Sequence, residues 1–279
     1  MGRAKILIPC DELSRLYHEE RWSPARIAQQ YGCNAATVRN RLLEAGIELK
    51  TKSAAQMRYP KYDFNGSNTE KAYILGFRCG DLNVYQPRGA SETIVVRSHS
   101  TLTVQGELFK KLFERYGQIT VSTNTRSVQM TCYLNETFSF LLTKYPEHIR
   151  TWVLSDDLLL WAFGAGYIDA EGTFGLNQGR GRFKIDAYDY AILADLHALF
   201  LRHGINSKFR IIARKGENDY GWIWKQDVWR LSVNESRSLE ILIEKALPFM
   251  RHKKRVADAN IVSENVETRK LKRKHGKTE

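Results

Sequence analysis

Two acidic residues, Asp81 and Glu171, end two segments of similar sequence. Aligning "KAYILGFRCGDL" (71–82) with "WAFGAGYIDAEG" (161–172) places one acid over the other, 90 positions apart. If the two segments meet, the paired carboxylates repel each other unless a cation lies between them. A phosphodiester approaching the pair would repel both carboxylates too, so a divalent metal ion is the chemically sensible third party. The spacing therefore predicts a site for metal-assisted chemistry on phosphate.

Small residues recur at every fourth position of both segments, ahead of the acids. The aligned pairs are Ala72 and Ala162, Gly76 and Gly166, and Gly80 and Ala170. Four-residue spacing places these residues on one helical face, where another backbone can approach closely. The natural partner is the other copy, so we expect two packed helices that end at the two acids. One segment alone would be an ordinary packing face with an incidental acid, and the matched pair argues against that alternative.

Each segment also carries a helix start signal. "SNTE" (67–70) fits a capping box, and Ser155 comes before two aspartates that favour a first helical turn. Near the end of the second segment, Asp169 is expected to cap or brace the helix end. Its counterpart in the first segment is Cys79, so an acid at this place is dispensable in one copy.

Alternating strand and helix patterns follow each segment. In the first copy, "ETIVVRSHS" and "SVQMTCYL" are typical of strands, and "GELFKKLFERYG" and "ETFSFLLTKY" of helices. In the second copy, "GRFKIDAYD", "SKFRIIARK" and "DVWRLSVN" are typical of strands, and "AILADLHALFLRHG" and "SRSLEILIEKAL" of helices. The order predicts an α+β fold of two pseudo-symmetric αββαββα repeats, residues 67–154 and 155–262. A basic flexible tail, residues 263–279, is expected after them.

The N-terminal segment, residues 1–50, carries three short apolar periodicities that predict three helices. The apolar positions are Leu13, Leu16, Tyr17, Ile27, Ala28, Tyr31, Val38, Leu42 and Leu43. Ser23 and Asn34 can cap the second and third helices, and Gly32 permits a left-handed turn between them. This small all-α domain resembles a helix-turn-helix of the resolvase-like or sigma-like kind. A polar linker, residues 51–66, is expected after it.

In the helix-turn-helix interpretation, the polar side of the third helix faces the DNA major groove or its phosphates. That side carries Ala35, Ala36, Thr37, Arg39, Asn40 and Arg41. A small helical bundle with a solvated polar face is the alternative.

The charge balance favours a polyanionic partner. The 279 residues include 43 Lys and Arg against 31 Asp and Glu, giving a net charge of +12 and a pI near 9.5. Nucleic acid ranks ahead of an anionic membrane, and a merely solvated basic surface is the alternative. Four dispersed cysteines favour reduced intracellular thiols over a zinc ribbon. Without a membrane-length apolar run or a secretory pattern, we expect a nucleoid-associated cytoplasmic protein of a prokaryote, or an organellar one, and no secretion.

In the two segments that end at Asp81 and Glu171, the sequence resembles the LAGLIDADG homing endonucleases, in their two-motif, single-chain form. Seven of the nine places in "GAGYIDAEG" (164–172) carry the residue usual there or a common substitute. In the other motif, "ILGFRCGDL" (74–82), Cys79 replaces the usual first acid and Leu82 the final glycine. The eighth place keeps an acid in both motifs. The resemblance covers about residues 62 to 262.

The resemblance implies a saddle of two four-stranded antiparallel sheets that straddles duplex DNA around a pseudo-two-fold axis. It implies Mg²⁺-dependent cleavage of both strands across the minor groove of a long target site, by a monomer. Mn²⁺ or another divalent ion could replace Mg²⁺. Asp81 and Glu171 would be the metal-binding catalytic acids. Lys253, in "LPFMRHKKR", would be a catalytic lysine near the scissile phosphates.

Basic and polar residues alternate on the predicted strands, which sends them to one sheet face. They are Arg97, His99, Arg126, Gln129, Arg180, Arg182, Lys184, Lys208, Arg210, Lys225 and Arg230. Together with Thr37, Arg39, Asn40 and Arg41 they are the predicted DNA contacts. Each one taken singly is better explained as a phosphate contact or surface charge than as a base reader.

Two non-catalytic functions are the alternatives to a mobile-intron endonuclease. One is a transcription regulator that joins a helix-turn-helix to a decayed LAGLIDADG domain, and the other is a maturase that binds intron RNA. The altered first motif favours these alternatives, whereas both retained acids favour the endonuclease.

Overall fold

A computed structural model describes residues 8–20, 22–50, 59–87, 92–101, 103–123, 126–143, 149–219 and 221–275. The chain divides into two compact units, Met1–Tyr59 and Pro60–Glu279.

The described residues of the first unit form three helices, as the sequence predicted. They are α1 (Cys10–Ser14), which continues as a π-helical turn over Arg15–Glu19, α2 (Pro24–Gln30) and α3 (Ala35–Glu44). Ser23 accepts a hydrogen bond from the Arg26 amide, and Asn34 accepts one from the Thr37 amide. Gly32 adopts a φ of 62° between the two helices. Both predicted caps and the predicted left-handed turn are therefore confirmed.

Seven of the nine predicted apolar positions are buried in the core of this unit: Leu13, Leu16, Tyr17, Ile27, Ala28, Val38 and Leu42. Tyr31 is partly buried against this core, whereas the Leu43 side chain is 57% exposed. Val38 and Leu42 lie four residues apart on one helical face, and the next residue is turned about 100° away from that face.

The second unit contains two four-stranded antiparallel sheets, as the sequence predicted. Its helices are α4 (Asn68–Asp81), α5 (Thr103–Phe113), α6 (Thr151–Leu154), α7 (Asp157–Glu171), α8 (Tyr190–Arg202), α9 (Ser236–Ala246) and α10 (Lys253–His275). Its strands are β1 (Leu82–Tyr85), β2 (Ile94–Ser100), β3 (Ile119–Thr123), β4 (Val128–Leu134), β5 (Gly172–Asn177), β6 (Arg180–Ala187), β7 (Ser207–Ala213), β8 (Asn218–Asp219), β9 (Trp222–Ile223) and β10 (Val228–Val233). The sheet orders are β1-β2-β4-β3 and β5-β6-β10-β7, so the repeats share one topology.

Helices α4 and α7 pack against each other through the predicted glycines. A Cβ on Gly76 would overlap the Phe163 carbonyl, and a Cβ on Gly166 would overlap the Tyr73 carbonyl. These contacts are reciprocal, since Phe163 is the counterpart of Tyr73 in the aligned motifs. The packing surface is therefore self-complementary, as a two-fold relation between repeats requires.

Several local expectations differ from the structure. The first turn of α7 is capped by Asp156, which accepts from the Leu158 amide, and not by Ser155. Residues 136–141 form a 3₁₀-helix where an α-helix was expected. Strands β1, β3 and β5 were not identified from the sequence.

Both ends of the second unit are more ordered than the sequence suggested. Phe64, within the expected linker, stacks on Tyr116 and lies edge-on to Phe138, while residues 51–58 of that linker lie outside the described residues. The part of the expected flexible tail that the structure describes is helical, because α10 continues to His275. None of the described helices is both long and apolar enough to cross a membrane.

We expect Gly166→Ala to lower the free energy of unfolding by at least about 1 kcal/mol. Overpacking costs about 1–3 kcal/mol, and here the new Cβ would meet backbone, including the Phe77 amide nitrogen at 2.9 Å. Gly164→Ala in the same helix is the control, because its Cβ meets only a Leu196 methyl, at 3.1 Å. Urea unfolding followed by tryptophan fluorescence measures both. Equal stability of the two variants would contradict the backbone contact.

Candidate functional site

The two predicted acids end the two packed helices. Asp81 is the last residue of α4 and Glu171 the last residue of α7, and each is followed directly by a strand. A Cβ on Gly80 would lie 2.8 Å from Glu171 Oε1 and 2.5 Å from the Ala170 Cβ. The Glu171 carboxylate therefore lies against the last turn of α4, beside the residue that precedes Asp81.

Asp81 accepts a hydrogen bond from a glutamine that was not predicted from the sequence. Gln105 Nε2 donates to Asp81 Oδ2 at 2.6 Å, and Gln105 itself is buried in the first turns of α5. This hydrogen bond fixes one carboxylate oxygen and orients the other. A single glutamine near a helix start carries no distinctive sequence signal, so only the fold reveals the contact.

The acidic pair fits a hard divalent cation that also binds substrate. Among the described residues, no three His, Cys, Asp or Glu side chains cluster as a metal cage would require. Mg²⁺ usually keeps several waters and takes one or two carboxylates together with substrate phosphates. Two carboxylates at the ends of adjoining helices match that donor set.

Asp169 braces the start of the last helix, whereas the sequence had led us to expect that it would cap or brace the end of its own helix. Its Oδ2 accepts from Tyr73 Oη and the Arg251 amide, both at 2.6 Å, and from the His252 amide at 3.0 Å. Burial raises the pKa of Asp169, although these three donors act in the opposite direction. The carboxylate thus joins α7, α4 and the residues just before α10.

Lys253 begins α10 and is held by a residue of the first repeat. Its Nζ lies 2.6 Å from Glu107 Oε2 on α5, and this hydrogen bond lowers the pKa of Glu107. Both side chains are exposed, so water screens the pair and a phosphate could compete for the lysine. One helix therefore contacts Asp81 through Gln105 and Lys253 through Glu107.

Six predicted basic residues share the open face of the second sheet. They are Arg180, Arg182 and Lys184 on β6, Lys208 and Arg210 on β7, and Arg230 on β10. The register places Arg230 opposite Arg210 and opposite Asp186, the one acid on this face of the sheet. Burial alone would raise the pKa of Asp186, but hydrogen bonds from Arg230 and Lys184 lower it. These pairs hold two of the six cations in place.

The open face of the first sheet is polar but far less basic. On β2, His99 lies opposite Gln129 of β4 and Arg97 opposite Thr131, with the Arg97 guanidinium 5.0 Å from the Tyr85 ring centroid. Ser127 Oγ lies 2.9 Å from His99 Nε2. The two sheets thus present different surfaces despite their common topology.

Two residues predicted on strands lie in connections instead. Arg126 comes before β4, and Lys225 lies between β9 and β10. Both are exposed, but neither takes part in the alternation of a strand. The connection between β7 and β10 contains the small β8–β9 hairpin, and Lys225 belongs to this connection.

The polar side of α3 is only partly available for DNA contact. Arg39 and Asn40 are exposed, together with Ala36 and Leu43, along one helical stripe. Two other predicted contacts already have partners, since Thr37 Oγ1 donates to Asn34 Oδ1 at 2.9 Å and Arg41 pairs with Glu44 at 2.8 Å.

We expect pH to change stability through Asp169. Its folded-state pKa lies above the unfolded value of 3.8, so the folded protein holds this proton more tightly. The Asp169 carboxyl therefore contributes most to the free energy of unfolding below pH 3.8. This contribution is lost as pH rises through the folded-state pKa. In urea unfolding between pH 3.5 and about pH 7, the stability of the wild type relative to Asp169→Asn should fall as pH rises. A difference that stays flat or increases would contradict this assignment.

One protein-family model and several solved structures are similar to this chain. A family model described as a LAGLIDADG-like domain matches residues 160–246. Mesophilic variants of the homing endonuclease I-DmoI are 15% identical, with a TM-score of 0.45 over 65% of this chain and 96% of theirs. The homing endonuclease I-WcaI, bound to its DNA recognition sequence, is 9% identical, with a TM-score of 0.45 over 68% of this chain and 86% of its own.

The N-terminal LAGLIDADG domain of DUF199/WhiA is 17% identical, with a TM-score of 0.41 over 65% of this chain and 84% of its own. A search of curated proteins finds no match. The family model covers most of the second repeat, which is therefore similar to a LAGLIDADG-like domain, and the first repeat has the same sheet order.

Proposed function

We propose that the chain is a metal-dependent endonuclease of the homing type that cuts both strands of a long duplex DNA target. The observation that carries this proposal is the placement of Asp81 and Glu171 at the ends of two helices in backbone contact. Metal-dependent phosphodiester hydrolysis needs such a carboxylate pair beside the scissile phosphates.

The sheets supply a surface that a duplex could occupy. Strands β1 and β5 start at the residue after each acid, so the acids lie where the two sheets begin. DNA lying across both open faces would bring its backbone past the two carboxylates. Six basic residues on one face would neutralise phosphates there, and the polar side chains of the other face could donate hydrogen bonds.

The residues around the acids have distinct roles in this proposal. A divalent ion bound by Asp81 and Glu171 would supply Lewis-acid activation of water and stabilise the leaving oxygen. Gln105 orients the Asp81 carboxylate, and Asp169 fixes the start of α10. Lys253 stabilises negative charge that develops on phosphate.

In this proposal the first unit adds contacts to the target DNA. The stripe of α3 that carries Arg39 and Asn40 has the residue types that read guanine and adenine in the major groove. These contacts would add affinity and site length without taking part in cleavage, because the metal-binding acids belong to the second unit.

A non-catalytic regulator or RNA maturase is the second candidate, and the changed first motif is what favours it. Leu82 and Cys79, the two departures, are both buried in the core of the second unit. They alter packing and leave the metal-binding place, Asp81, intact. The changes are therefore compatible with catalysis.

Duplex binding should weaken steeply with salt. Counterion release gives a slope of log affinity against log salt of about −0.9 per neutralised phosphate, so Arg182→Ala with Arg210→Ala should reduce the slope by about 1–2. Lys270→Gln is the control, since Lys270 pairs with Glu240 away from the open face. Fluorescence anisotropy with a random-sequence duplex suffices. A nearly flat slope, or an equal change in the control, would exclude the open face as the DNA surface.

Removing either acid should abolish double-strand cleavage while DNA binding persists. Asp81→Asn and Glu171→Gln keep size but remove charge, and losing several kcal/mol of metal-mediated stabilisation lowers the rate about 1000-fold. Glu240→Gln is the matched control. The substrate is a duplex selected from a randomised library for binding to the full chain, assayed with Mg²⁺ by gel. If both acid variants cut at the parental rate, a regulator or maturase would explain the chain better than an endonuclease.

A further inference from the structure

We propose, on the basis of the endonuclease function above, that Arg230 recognises a guanine of the target DNA and that Asp186 positions it for this contact. From the sequence, each basic residue of the second sheet was better explained as a phosphate contact or surface charge. The structure gives Arg230 a partner and an orientation that a phosphate contact does not need.

A single carboxylate holds the Arg230 guanidinium along one edge. Its Nε donates to Asp186 Oδ1 at 2.5 Å, and its Nη2 donates to Asp186 Oδ2 at 2.7 Å. A guanidinium has five N–H donors in one plane, and this contact uses two of them. The outer edge keeps one donor on each terminal nitrogen, side by side. Guanine presents two adjacent acceptors, O6 and N7, in the major groove, and a bidentate arginine is their commonest partner.

The sheet determines where this donor edge lies. Arg230 is on β10, opposite Asp186 of β6 on one side and opposite Arg210 of β7 on the other. Arg230 lines two concavities of the open face, with volumes of about 380 Å³ and about 710 Å³, and Asp186 lines neither of them. The arginine therefore borders the space that a ligand would fill, and the acid is set back from that space.

The charge around Arg230 suits a base better than a phosphate. Asp186 also accepts a hydrogen bond from Lys184 Nζ at 2.7 Å, so one carboxylate offsets one of two cations. This carboxylate would repel a phosphate that approached Arg230, whereas the edge of a base carries no net charge. Among the described residues, no acid forms an ion pair with Arg210, so Arg210 keeps its attraction for phosphate.

The two facing arginines also support a ligand-binding role. Like charges directly opposite each other on antiparallel strands destabilise a sheet. Asp186 offsets part of the repulsion between Arg230 and Arg210. Bound DNA would offset the rest, with a guanine against Arg230 and a phosphate against Arg210.

The first test uses the full chain and the duplex selected for binding to it. Each guanine is replaced in turn by 7-deazaguanine, which lacks the N7 acceptor but keeps its base pairing. At one position this replacement should weaken binding at least about 5-fold, as measured by fluorescence anisotropy. In Arg230→Gln the same replacement should have no further effect, because the two changes remove one contact.

Arg210→Gln is the matched control for this test. It should weaken binding to all duplexes by the same factor and keep the 7-deazaguanine effect, because a phosphate contact carries no base preference. If no guanine has an effect that depends on Arg230, the proposal is overturned.

Asp186→Asn distinguishes a positioning role from a purely structural ion pair. The variant keeps size but frees Arg230 to contact phosphate. Its preference for the guanine should fall at least about 5-fold, while binding to a random-sequence duplex tightens and the salt slope becomes steeper by about one unit. A structural role alone would weaken binding to both duplexes equally. That result, or an unchanged guanine preference, would overturn the role of Asp186.

Cleavage separates this proposal from the endonuclease function. A chain that cuts its selected duplex in Mg²⁺ without an Arg230-dependent guanine overturns the guanine contact alone. An Arg230-dependent guanine in a duplex that is bound but never cut supports the contact and excludes the endonuclease. A chain that binds no duplex overturns both.

Discussion

The close approach of α4 and α7 determines where both sheets and both acids lie. Gly76 and Gly166 each face a carbonyl of the other helix, so no side chain larger than hydrogen fits at either place. Reciprocal contacts fix the two repeats in a two-fold relation, and that relation sets where the sheets begin. The distance between the acids is consequently a product of backbone packing, and two glycines determine it.

On this symmetric frame the side chains are distributed unevenly. The second sheet presents six basic residues on its open face, while the first presents mainly hydroxyl, amide and imidazole groups. The polar residues near the acids are also uneven, because Asp169 aligns with Cys79. A single-chain protein can diversify its halves separately, which a homodimer cannot, and such a chain suits an asymmetric DNA sequence.

Local chemistry explains which features the sequence could predict. The caps at Ser23 and Asn34 and the facing glycines depend on residues within one turn or one repeat, so their spacing is sufficient. The open-face residues of β6 followed from simple alternation. The sequence pattern did not predict strands β1 and β5 because they are short and start immediately after a helix.

Tertiary contacts explain what the sequence could not show. Gln105 acquires its role only because α5 folds back on Asp81. Residues 263–279 were expected to form a flexible tail because their end is dense in Lys and Arg. Ala259, Val262 and Val266 are buried at helical spacing, and their packing anchors α10 just before these basic residues.

Anomalous diffraction from Mn²⁺ would show whether Asp81 and Glu171 bind one metal site together beside DNA. Crystals of the full chain with its selected duplex should show an anomalous peak within about 2.0–2.5 Å of carboxylate oxygens from both Asp81 and Glu171, with a DNA phosphate completing the coordination. The duplex should lie across both open sheet faces. DNA bound elsewhere, or Mn²⁺ bound away from these two acids, would contradict the account.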